Sequence, residues 1–133
     1  MPRLESLAAA CIGVVLSATP ATAHHSFAVE FDPMRPVKLR GTVTRVEWIN
    51  PHTWIHIDVK STNGRSVTWM IEGGSPNSLF RRGVTKASLP LGTEIVVEGY
   101  QARNRTNRAN GRDLTLPDGK TFSLGAPPDA PNP

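Results

Sequence analysis

The sequence predicts an all-β domain, and three observations carry that expectation. Polar and apolar residues alternate at period two along Thr53–Lys60 (TWIHIDVK) and Ser66–Glu72 (SVTWMIE), the signature of half-buried strands. Eleven glycines and twelve prolines punctuate the 133 residues, a density that suits short strands joined by turns better than a helical bundle. With a removable leader of 23 residues set aside, about 110 remain. That is enough for one small core and too little for most cofactor-binding α/β architectures.

The leader is read from its grammar. Arg3 gives a charged start, Leu7–Leu16 (LAAACIGVVL) an apolar run of ten, and Ala21-Thr22-Ala23 the small-x-small pattern that signal peptidase cuts. Ten apolar residues span about half of a bilayer core, too short for an anchor. Residues 1–23 are therefore expected to be a cleavable signal peptide and the product to be periplasmic. The apolar run continues past Cys11, which disfavours its lipidation. No other cysteine follows, so the mature chain has no disulfide, thiol nucleophile or cysteine metal ligand. The leader holds one Arg and one Glu, so the mature chain keeps the net charge of +4.

His24–Pro36 (HHSFAVEFDPMRP) alternates at Phe27, Val29 and Phe31, is broken by Pro33 and Pro36, and reads as an extended N-terminal arm. Val37–Trp48 reads as a strand whose apolar phase slips after Val43, which predicts a bulge near Thr44–Arg45. Gly41 inside it marks a tight bend. The next two strands form a hairpin. Its apolar faces match only if Val59 pairs with Val67, Ile57 with Trp69 and Ile55 with Ile71. That register predicts a three-residue loop, Thr62-Asn63-Gly64, with Gly64 in the left-handed position. Ile57 and Trp69 should then be buried neighbours.

After Gly73-Gly74, Ser75 and Pro76 open a short helix as N-cap and first residue, and Gly83 stops it. Thr93–Gln101 reads as the fourth strand, Arg103–Arg112 as a polar loop, and Asp113–Leu124 as a last hairpin turning at Pro117-Asp118-Gly119. Gly125–Pro133, with four prolines, reads as a disordered tail. Five strands with one helix between the third and fourth is the order of a small OB-like β-barrel, here spanning residues 37–124. A small open sandwich is the alternative.

The strings HHSFAVEFD (24–32), GTVTRVEWINPHTWIHIDV (41–59), EGGSPNSLFRRG (72–83) and LPDGK (116–120) resemble domain-of-unknown-function family 6152, small exported bacterial proteins. The resemblance runs from His24 to about Phe122. It implies export and one β-rich domain, and no activity or site residue. A tryptophan often follows the RRG in that family, where this chain has Val84.

Three constellations could carry chemistry. His24-His25 would sit at the new terminus after cleavage at Ala23, where the amine and an imidazole chelate a metal. Cleavage at Ala21 would instead make His24 the third residue, the square-planar Cu(II) arrangement. The outer face of the hairpin is the second. Its register aligns His52, Trp54, His56 and Asp58, with His56 opposite Met70 and Trp54 opposite Glu72, an imidazole and thioether set suited to copper. Trp48 extends this candidate binding face. The bland alternatives are a polar terminus and a cross-strand packing cluster. Third, Arg81, Arg82, Arg103, Arg105, Arg108 and Arg112 form a basic set. Export removes the usual nucleic-acid partner and no aromatics interleave with them, so they read as a solvated loop.

No catalytic set stands out. Ser26 beside His25 lacks a buried Asp at useful spacing, and Gly73-Gly74 lacks the following Lys-Ser of a phosphate loop. The sequence thus points to a non-enzymatic exported binding protein. Its ligand would be a transition metal, with copper as cofactor, held by His24, His25, His52, His56 and Met70. The alternative is a protein- or glycan-binding module without metal, or one that meets an anionic envelope component.

Overall fold

The computed structural model describes residues 27–125 together with Pro127, Ala130 and Pro131. The leader and His24-His25 lie outside the described residues. The order is α1 (Phe27–Glu30), β1 (Phe31–Glu47), β2 (Trp54–Lys60), β3 (Ser66–Glu72), α2 (Pro76–Arg81), β4 (Glu94–Ala102), β5 (Arg108–Thr115) and β6 (Thr121–Ser123). The protein is mostly β. Its described strands form one six-stranded sheet in the order β3-β2-β1-β4-β5-β6, and β3 also pairs with β5. All neighbours are antiparallel except β3 and β5, which run parallel over three residue pairs.

The central hairpin has the register that its apolar pattern dictates: Val59 faces Val67, Ile57 faces Trp69, and Ile55 faces Ile71. Ser61 N donates to Arg65 O at 2.8 Å, and Gly64 closes the loop at φ +80°. The bulge in β1 falls between Val43 and Arg45. Ser75 caps α2 by accepting from Ser78 N, and Pro76 fills the first turn, where no backbone donor is needed. Ile57 is fully buried, but its neighbour Trp69 is only half-buried, since it lies just before the Met70–Glu72 stretch where β5 joins β3.

Four expectations need correction. The sheet has six strands instead of five, because the hairpin expected over 113–124 contributes two strands, β5 and Thr121–Ser123. The arm is not extended throughout. Phe27–Glu30 is a helical turn, and β1 starts at Phe31, six residues early. Pro33 is tolerated because the β1–β4 ladder is interrupted between Phe31 and Pro36, and Pro36 stands where the ladder resumes opposite Tyr100. The loop expected over 103–112 ends at Asn107, since Arg108 already belongs to β5.

The core is built by Val43, Ile55, Ile57, Ile71, Leu79, Ile95, Val97, Ala109, Leu114 and Leu124. A second small cluster of Phe27, Phe31 and Ala102 anchors α1, with Phe27 edge-on to Tyr100 at 5.5 Å. Arg103 holds the same turn, its backbone N donating to Glu30 O and its Nε to Ala28 O. From the tail, Ala130 packs on this cluster and Pro131 O accepts from Arg112 at 2.7 Å.

Gly99 lies against β5 at the register shift after Glu98. A side chain there would run into the Asn110 carbonyl, which is backbone and cannot swing away. Gly99→Ala is expected to cost about 3 kcal/mol, read as a lower urea midpoint, because overpacking must push two strands apart. An unchanged midpoint would contradict the β4–β5 pairing.

Candidate functional site

Two rows of side chains cross the three strands β2, β3 and β5. One row is His56, Met70 and Arg108, and the next is Trp54, Glu72 and Asn110. Period-two alternation turns these residues away from the core that Ile55, Ile57, Ile71 and Ala109 fill. The hairpin supplies the first two members of each row, as its sequence requires. The third member comes from the parallel pairing of Met70–Glu72 with Arg108–Asn110.

Glu72 is the unusual member, because it is only 6% exposed. Burial pushes its carboxyl above the ordinary glutamate value, and the nearby Glu30 carboxylate adds to the rise. His52, Arg108 and a hydrogen bond from Asn110 work in the opposite direction without cancelling it. The Arg108 guanidinium lies 5.0 Å from the Trp54 ring centroid and 3.7 Å from Glu30 Oε2, so it joins α1 to this face. Asn110 Oδ1 is buried with no described partner.

The two described histidines are held in opposite ways. His52 Nδ1 lies 3.3 Å from Gly73 O and 3.6 Å from Glu72 Oε1. A carbonyl can only accept, so Nδ1 carries the proton and the lone pair of the neutral ring is on Nε2. His56 Nε2 lies 2.7 Å from Glu47 Oε2, so here Nε2 carries the proton and Nδ1 the lone pair. The bond from His56 and the charge of Arg45 hold Glu47 below the ordinary carboxylate range. Each histidine thus has one nitrogen fixed by an acceptor and one left as a donor atom.

The candidate residues therefore do not converge on one point. His52 is tied to Glu72 and His56 to Glu47, while Met70 faces His56 across the ladder. Trp48 leaves the face altogether and packs against the core beside α2. His24 and His25 lie outside the described residues. Among the described residues, no three His, Cys, Asp or Glu side chains are grouped to hold an ion by themselves. Glu30, Glu47, Arg108 and Asn110 are additions to the face that the sequence reading did not make. Only Glu47, next to Trp48 and within reach of the hairpin, carried a local signal. Of the basic set, Arg108 and Arg112 are strand residues that grip other parts of the chain, whereas Arg105 is exposed.

The raised Glu72 value fixes a sign. The fold favours the protonated carboxyl, so the stabilisation it gives is present in acid and lost as pH rises through its folded value. Glu72→Gln, which resembles the protonated form, is expected to keep or raise the urea midpoint at pH 7. The difference from the parent should shrink towards pH 4. A loss at pH 7 as large as about 2 kcal/mol would mean that the carboxylate's partners outweigh its burial.

No helix among the described residues is long and apolar enough to cross a membrane. No curated protein and no solved structure matches the chain. One family model does match, over residues 10–111, and it covers most of the chain including β1 to β4, α2 and the start of β5. On that match the protein belongs to a family of unknown function, DUF6152.

Proposed function

We propose that this protein is an exported, periplasmic, non-enzymatic binding protein whose ligand is a transition metal, copper in the first place. The observation that carries the reading is the way the histidines are held. Metal-binding imidazoles commonly give their second N–H to a carboxylate or a backbone carbonyl, which fixes the ring and leaves the other nitrogen for the ion. His52 has this arrangement, with Glu72 and Gly73 O behind it. Its side chain is 41% exposed, so an ion can reach it, whereas that of His56 is 13% exposed.

One imidazole does not hold an ion tightly, and the further donors in this reading are His24 and His25. His25 lies two residues before Phe27, a reach of about 7 Å of extended chain. The turn that follows it is tied to the same face through Glu30 and Arg108. Removal of residues 1–23 would add the terminal amine. Met70 opposite His56 offers a softer pair for Cu(I).

The scaffold in this reading is an OB-like barrel. The β3–β5 pairing that returns the sheet on itself, and the position of α2 between β3 and β4, support it. Export rests on the charged start, the apolar run and the Ala-Thr-Ala pattern of the leader.

Calorimetric titration of the mature protein with Cu(II) tests the proposal. The account expects one tight site that weakens on acidification, because ligation needs unprotonated imidazole. His52→Ala or deletion of His24-His25 should abolish tight binding. Glu72→Gln should weaken it about 10- to 100-fold while leaving the fold intact. Binding no tighter than millimolar, or indifferent to His52 and to the terminal histidines, would leave a protein- or glycan-binding module without metal as the better reading.

A further inference from the structure

Away from the residues of the histidine face, a cleft of about 330 Å³ opens between the end of β1 and α2, with Asn77 among its lining. Trp48, Pro76, Phe80 and Val84 form its apolar wall, with Thr85 and Lys86 at one edge. The cleft is preformed. Gly83, at φ +89°, ends α2 so that Gly83 N bonds Phe80 O and Val84 N bonds Leu79 O. This closing turn buries Val84, which fixes one side of the cleft, and Trp48 packs on the core to fix the other. Phe80 stands 69% exposed and Ile49, next to Trp48, 51% exposed.

The stretch that carries most of the cleft's lining has charge of one sign. From Gly73 to Thr93 the chain carries Arg81, Arg82 and Lys86 and no acidic residue. Among the described residues Arg82 bonds only the hydroxyls of Ser78 and Ser123, and no acid pairs with Arg81 or Lys86. Glu47, the acid that precedes Trp48 in the chain, is occupied by His56 and Arg45. Such a site complements a ligand with an apolar body and negative flanks.

We propose that this cleft is a docking site for an acidic segment of a partner protein, one aromatic side chain filling the space between Trp48 and Phe80. Its neighbouring carboxylates would meet Lys86 and Arg81. The volume suits one or two side chains, and a preformed cleft costs little ordering on binding. Asn77 and Thr85 are the neutral polar groups of the lining, and the cations Lys86, Arg81 and Arg82 around it favour an acidic ligand over a neutral sugar. The site is separate from His52 and Glu72, so it stands or falls independently of metal binding.

The test uses the full mature protein, ¹⁵N-labelled, and the end-blocked peptide Asp-Glu-Phe-Glu-Asp as probe. Saturable shifts are expected at the Trp48 indole, Phe80 and Val84–Lys86, with a dissociation constant on the order of 0.1–1 mM. Raising the salt to about 0.5 M should weaken binding, since exposed charges are then screened. Phe80→Ala and Lys86→Glu alter exposed side chains and should each weaken binding about five- to tenfold without changing the urea midpoint. Equal binding of Lys-Lys-Phe-Lys-Lys, or shifts centred on Arg103–Thr106, would overturn the proposal. So would binding to phosphatidylglycerol vesicles with no saturable response to the acidic peptide, which would make the patch a membrane contact.

Discussion

Three residue pairs hold the candidate site together. Met70, Ile71 and Glu72 of β3 run parallel to Arg108, Ala109 and Asn110 of β5, and this short seam joins two parts of the chain that are far apart in sequence. Its middle pair, Ile71 and Ala109, points into the core. The outer pairs set Arg108 beside Met70 and Asn110 beside Glu72. Without the seam, β3 would be a free edge, Glu72 would face water, and Arg108 would not reach Trp54. The apolar pair in the middle fixes the register, and the polar pairs on either side follow from it.

Burial of Glu72 is the consequence that matters for chemistry. A carboxylate held away from water needs positive or donating neighbours, and this one has Asn110, Arg108 and His52. The same group that is a burden to the fold orients His52, whose Nδ1 is turned towards Glu72 and Gly73 O. Arg108 serves both ends: it offsets Glu72 and Glu30 and lies over Trp54. The N-terminal turn is thereby attached to the hairpin face by charge, and to β4 by Phe27 packed on Tyr100.

The hairpin was legible in the sequence because its register follows from local alternation alone, down to the left-handed Gly64. Helix α2 was legible from its cap and stop, and the bulge in β1 from a slip in apolar phase. Other features depended on contacts between distant segments. Residues 108–111 (RANG) are poor strand formers by composition and become a strand because β3 and β4 flank them. Phe31 and Pro36 pair with β4 although two prolines, which local reading treats as breakers, lie in this stretch. Of the candidate site, the histidines and their strand neighbours could be placed from the hairpin register. Their partners could not, since Glu47 reaches His56 across the bulged β1–β2 ladder and Glu30 reaches Arg108 across the molecule. The separation of His52 from His56 likewise reflects which acceptor holds each ring, Gly73 O or Glu47, a matter of tertiary structure.

The Gly73 carbonyl and the Glu47 carboxylate fix His52 and His56 in opposite tautomers and leave Nε2 of His52 as the atom offered to an ion. Long-range proton–nitrogen NMR of the metal-free protein, recorded where both rings are neutral, reads this directly. The account predicts His52 protonated on Nδ1 and His56 protonated on Nε2. Finding His52 protonated on Nε2 would contradict it.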